Sequence, residues 1–145
     1  GKAGLWQQDT IKVVADANID ATIFNPRREH FNATVEQIAT DPILREQVLW
    51  ELRHLKMSDV ILFHFEPGTI SPISLFELGL FTGIGEALMT RKVIVSCPDG
   101  YFRQGNVELV QEEFGQFDLY KTLTEAQAAV LVALNKLHED HAALV

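Results

Sequence analysis

The chain has a single cysteine, no apolar run approaching the about 18 residues that a spanning helix needs, no internal repeat, and fewer basic than acidic side chains. Each shortage excludes something. A lone Cys97 cannot close an intrachain disulfide, which fits a reducing compartment. Without a long apolar run no membrane-spanning helix is expected, and without a charged, then apolar, leader no signal peptide is expected; a cytoplasmic location is the default. Twelve Lys and Arg against 20 Asp and Glu, a net charge of −8, leave no basic surface to neutralise a nucleic-acid polymer. A single nucleotide stays compatible, because one Arg or one helix N-terminus can hold its phosphate. The absence of repeats excludes a solenoid and leaves one layered domain over residues 1–145.

What is present is an ordinary globular composition, 47% apolar and 22% charged. Leu5, Trp6, Ile11, Val13 and Val14 recur at helical spacing. Ala21-Thr22-Ile23-Phe24 within Ile19 to Asn25 reads as a short strand that turns at Asn25-Pro26. The apolar positions from Thr34 to Met57 have helical period, and Asp41-Pro42 supplies a cap and a first-turn proline for the longer helix. Val60 to Phe65 is nearly all apolar, as a central parallel strand covered on both faces would be.

Beyond a Pro/Gly/Ser loop, Ser74 predicts the cap of a helix to about Met89, with Glu77 three residues on as in a capping box. Val93 to Ser96 is a third strand, and Asn106 to Glu113 a short helix. Phe117 to Tyr120 is extended, and Ala126 to Leu137 is a final helix capped by Thr124. This alternation predicts an α/β fold, an open parallel sheet with helices on both faces. The strand that should precede the first helix is missing from the sequence. Ligands of such sheets sit beyond the carboxyl ends of the strands.

Glu77 follows a strand by one loop, so it falls at that edge. Its spacing serves a cap as well as a catalyst, and spacing alone favours the cap. His64, in an apolar strand, reads as a packed and hydrogen-bonded side chain, and no histidine spacing suggests a metal. Gly79, Gly83 and Gly85 suit close helix packing or helix termination better than a phosphate loop, since no strand leads directly into them. Arg27 and Arg28, after a strand exit, read either as a solvated pair or as ligand contacts. Arg103 and Asn106, beyond another strand, are equally open.

Taken in order, Ile23-Phe24-Asn25-Pro26-Arg27-Arg28, then Trp50-Glu51 with Ser58-Asp59-Val60-Ile61-Leu62-Phe63, then Ser71-Pro72-Ile73-Ser74-Leu75-Phe76-Glu77-Leu78-Gly79, resemble the nucleoside 2-deoxyribosyltransferase-like family. The resemblance runs from about Gly1 to Asn106. It implies a flavodoxin-like or Rossmann-like sheet, with Glu77 as the nucleophile that attacks the anomeric carbon. It also implies Glu51 as the acid/base or base-recognising carboxylate, eight residues ahead of Asp59. Position 71 holds Ser, as in the nucleotide N-glycosidases, where deoxyribosyltransferases carry Asp. Asn25, Arg27, Ser71, Arg103 and Asn106 are then candidate substrate contacts, and Gly1-Lys2-Ala3-Gly4 resembles the tail of a phosphate-contacting loop.

The implied chemistry is cleavage or transfer at the N-glycosidic bond of a nucleoside or nucleoside 5′-monophosphate, with no cofactor and no metal. A homodimer or higher homo-oligomer is implied as well. A noncatalytic nucleotide-binding module is the alternative.

Overall fold

The computed structural model describes residues 4–28, 34–83 and 90–144. Among these residues are five helices, α1 (Trp6–Asp16), α2 (Pro42–Met57), α3 (Pro72–Thr82), α4 (Gln104–Phe114) and α5 (Leu123–Ala143), and three strands, β1 (Val60–His64), β2 (Lys92–Ser96) and β3 (Asp118–Tyr120), with strand and helix alternating from β1 onward. The chain divides into two compact units, Gly1–Ala21 with Asp59–Val145, and Thr22–Ser58.

The first unit holds a parallel sheet in the order β1-β2-β3. Leu62 pairs with Ile94 and His64 with Ser96; Ile94 pairs in turn with Asp118. Side chains alternate across a strand, so Val60 and Leu62 share one face with Ile94. There they meet Ala126 and Val130 of α5 and Val14 of α1 in a single apolar cluster. Val93 and Val95 point the other way and are just as deeply buried. Both faces of β2 are therefore covered, and among the described residues it is β2, rather than the Val60 to Phe65 strand expected at the centre, that has a neighbour on each side. The sheet is open and flanked by helices, which makes the fold α/β with a flavodoxin-like or Rossmann-like arrangement.

Local chemistry sets most helix ends. Thr122, in extended conformation, accepts from the Glu125 N–H, while the Glu125 carboxylate accepts from the Thr122 N–H. This capping box starts α5 at Leu123, two residues ahead of the start that a Thr124 cap would give. α4 begins at Gln104 rather than Asn106, because the Gln104 side chain reaches back to the Gly100 N–H and to Asp99. Gly115, at a φ of 62°, ends it with an N–H bond to the Gln111 carbonyl.

In the second unit, Asp41 caps α2 as the sequence predicts, accepting from the Ile43 and Leu44 N–H groups. Its bond to Leu44 is the largest influence holding the Asp41 carboxyl below its ordinary range. Residues 34–40 are outside the helix. The strand expected over Ile19 to Asn25 is not formed: the segment is irregular. Its residues have no ladder partner among the described residues; Phe24 instead sets its ring edge against His54, with centroids 4.4 Å apart.

Candidate active site

The carboxyl ends of β1, β2 and β3 each feed a polar segment. His64 ends β1, and its Nδ1 lies 3.0 Å from the Ser96 hydroxyl at the end of β2. The Trp6 ring packs edge-on to the imidazole at 5.3 Å. Burial lowers the His64 pKa, and the nearby Glu66 carboxylate opposes that shift. The sequence reading of His64 as packed and hydrogen-bonded is borne out. Glu66 accepts from the Gly4 N–H at 2.7 Å, which fixes the approach to α1 beside the same edge.

Two loops are tied together here. The Tyr101 hydroxyl, beyond β2, donates to the Ile70 carbonyl, beyond β1, at 2.8 Å. Next to Tyr101, the Arg103 guanidinium lies over the Phe102 ring at 4.5 Å. Asn106 is exposed in the first turn of α4. Lys121, just past β3, bridges Asp99 and Glu108, while Gln104 Nε2 donates to the same two carboxylates. Hydrogen bonding to Lys121 lowers both carboxyl pKa values, and the two partners raise that of Lys121. The network engages Lys121 and holds the start of α4 to the end of β3.

Ser71 occupies the position before α3 with φ 43° and ψ 51°, a left-handed conformation that is strained for a non-glycine residue and disfavoured before Pro72. Its side chain does not cap the helix; Ser71 Oγ lies 2.9 Å from Thr69 Oγ1. Pro72 takes the first helical position, so Ser74 falls inside the first turn and Glu77 in the second. The expected capping box of Ser74 with Glu77 is therefore absent. At 3.6 residues per turn, half-buried Glu77 stands on the flank between buried Leu78 and Phe81 and exposed Ile73 and Leu80. α3 ends at Thr82 with Gly83 as its cap, and the expected continuation to Met89, with Gly85, lies outside the described residues.

Thus the sheet unit carries Ser71, Glu77, Arg103 and Asn106. Residues 22–58 carry the others. Glu51, on α2, accepts from Gln47 Nε2 at 2.9 Å. Asn25 Oδ1 accepts from the Arg27 N–H at 3.0 Å, a side-chain turn that shapes the exit after Phe24. Gly1 to Ala3, the expected tail of a phosphate-contacting loop, lie outside the described residues. Among the described residues no group of three or more His, Cys, Asp or Glu could hold a metal ion. Glu66, Tyr101 and the Lys121 network escaped the sequence reading; the Asp99-Gly100 turn was their one local signal.

The profile of the family described as nucleoside 2-deoxyribosyltransferase like matches residues 1–101. The chain belongs to the nucleoside 2-deoxyribosyltransferase-like family. That membership assigns it to nucleoside or nucleotide chemistry in general. No curated protein sequence matches it. The family match takes in Ser71 and Glu77 and the whole of residues 22–58, and stops at Tyr101, five residues short of the Asn106 limit read from the sequence. No helix among the described residues is long and apolar enough to cross a membrane.

Proposed function

We propose that this member of the nucleoside 2-deoxyribosyltransferase-like family cleaves or transfers at the N-glycosidic bond of a (deoxy)nucleoside or nucleoside 5′-monophosphate, with Glu77 as nucleophile. The observation that carries the proposal is the position of Glu77, half-buried in the second turn of α3, the helix that follows the carboxyl end of β1, inside the family match. A carboxylate kept half-buried beyond a parallel strand's carboxyl end suits attack on a sugar carbon.

In the proposed reaction a Glu77 oxygen bonds to C1′ as the C1′–N bond breaks. Glu51 delivers a proton to the departing base. The resulting glycosyl ester is resolved at C1′ by a second base, giving transfer, or by water, giving hydrolysis; Glu77 leaves as the carboxylate and Glu51 regains its proton from the incoming nucleophile. Ser71, Asn25, Arg27, Arg103 and Asn106 are the proposed substrate contacts. The strain at Ser71 supports a positioning role, since such conformations concentrate at functional sites. Serine there favours a 5′-phosphate-bearing substrate or hydrolysis. Residues 1–145 are taken as one catalytic domain, of which the family match covers residues 1–101. A cytoplasmic homo-oligomer completes the proposal.

The test is base release from a panel of nucleosides and 5′-monophosphates, with and without a second free base, read by chromatography. Glu77→Gln is expected to lower turnover by roughly 10³-fold or more while keeping the circular dichroism of the parent. Saturable nucleotide binding without release of any base from any substrate would overturn the proposal in favour of a noncatalytic binding module.

A further inference from the structure

Two hydrogen bonds pin the peptide planes on either side of Ser71. The carbonyl after it accepts from the Leu75 N–H at 3.1 Å, as the first bond of α3. The carbonyl before it, that of Ile70, accepts from the Tyr101 hydroxyl at 2.8 Å, a donor 31 residues away in the chain. The rotation between those two planes is what φ and ψ of Ser71 describe, so Ser71 cannot leave its left-handed conformation without re-aiming the Ile70 carbonyl, the Leu75 bond, or both. The conformation it avoids is the common one. A residue before proline ordinarily rests in the extended region, and so does the residue ahead of a helix, where its side chain accepts from the second or third helical N–H. Ser71 makes no such cap bond, and its hydroxyl stays beside that of Thr69.

A strained backbone persists only where its surroundings over-determine it. Tyr101 supplies such a constraint from a fixed base. It is 4% exposed, and its ring lies 4.8 Å from that of fully buried Phe65. Its carbonyl accepts from the Gln104 N–H, and the Gln104 side chain is itself bonded to the Gly100 N–H, Asp99 and Glu108. Burial raises the Tyr101 pKa, so the hydroxyl keeps its proton and remains a donor.

We propose that Tyr101 is a positioning residue: the bond it donates to the Ile70 carbonyl holds Ser71 in its left-handed conformation, and so keeps the Ser71 hydroxyl out of the helix cap and open to a ligand. The use of that hydroxyl by a substrate rests on the function proposed above, whereas the hold on the backbone does not. Without the Tyr101 hydroxyl, Ser71 relaxes to the extended conformation. Its oxygen then turns to the N–H groups of the first turn of α3, and a cap replaces the lost bond.

Tyr101→Phe and Ser71→Ala, made singly and together in the 145-residue chain, test this by thermal melts and base-release kinetics. Tyr101→Phe keeps the ring against Phe65 and should keep the circular dichroism of the parent. In the parent, Ser71→Ala removes no cap and should lower the melting temperature by at most about 1 °C; in the Tyr101→Phe background it removes the new cap and should lower it by roughly 2–6 °C. Tyr101→Phe should also lower kcat/KM roughly tenfold, as Ser71→Ala does, with the double variant no slower than Ser71→Ala alone. Equal melting losses for Ser71→Ala in the two backgrounds overturn the proposal. So does a Tyr101→Phe variant that keeps the parent's kcat/KM, or whose loss adds in full to that of Ser71→Ala. A parent chain that releases no base sinks the catalytic reading alone, because the melting temperatures still decide whether Tyr101 holds Ser71.

Discussion

The imidazole of His64 and the hydroxyl of Ser96, at the ends of adjacent parallel strands, stand 3.0 Å apart with Trp6 closing over the ring. Ser96 is fully buried and His64 half-buried, and burial lowers the His64 pKa from 6.5. Between the lowered value and 6.5 the unfolded chain binds a proton there that the folded chain does not. Stability from this site is therefore complete above about pH 6.5 and is lost as the pH falls toward the folded pKa. Thermal melts of the parent should show a slope of that sign in mildly acidic buffer. His64→Gln should flatten it, and an unchanged slope would show that another group is responsible.

Ser71 offers a trade between stability and function. Ser71→Gly removes the steric penalty of a positive φ and should raise stability by roughly 1 kcal/mol, less the entropy that glycine adds to the unfolded chain. The hydroxyl beside Thr69 is lost with it, and turnover should fall if Ser71 contacts substrate. Urea denaturation together with base-release rates reads both effects. Equal activity in the glycine variant would remove Ser71 from the site.

Cys97 is fully buried, and burial is the main cause that pushes its thiol pKa up to about 11. A thiol so protected reacts slowly, since the thiolate is the nucleophile. At pH 8 the folded chain should resist iodoacetamide over hours, and modification should follow the unfolding curve in urea. Fast labelling without denaturant would contradict the burial.

The two candidate caps of α5 are separable by mutation. Thr122→Ala removes the side-chain half of the capping box and should cost about 1 kcal/mol, whereas Thr124→Ala, inside the first turn, should cost a few tenths at most. The difference is read from paired urea denaturation curves. Equal losses would mean that Thr122 is not the cap.

Much of the fold was legible because its causes are local. Apolar period marks α1 and α2, the Asp41-Pro42 pair marks a helix start, and uninterrupted apolar runs mark β1 and β2. The start of α3 was misplaced because Ser74 and Glu77 have the spacing of a capping box, while Pro72 at the first helical position sets the real boundary. Ile19 to Asn25 has the composition of a strand, but a strand exists only with a partner, and the local sequence does not record one. The family pattern drew Ser71 and Glu77 out of the sequence. The tie from Tyr101 to the Ile70 carbonyl, and the grip of Lys121 on Asp99 and Glu108, join residues 13 to 31 positions apart and become visible only once the strands are laid side by side.

The core of the sheet reaches past the stretch that the family match covers. Ala126 and Val130, well beyond Tyr101, complete the cluster around Ile94 and Val14. A truncation placed at the limit of the match would remove β3 and α5, strip one face of β2, and leave Ile94 open to water. The homology boundary is therefore not a folding boundary. Any fragment made to carry the Ser71 to Glu77 segment should retain the chain through α5.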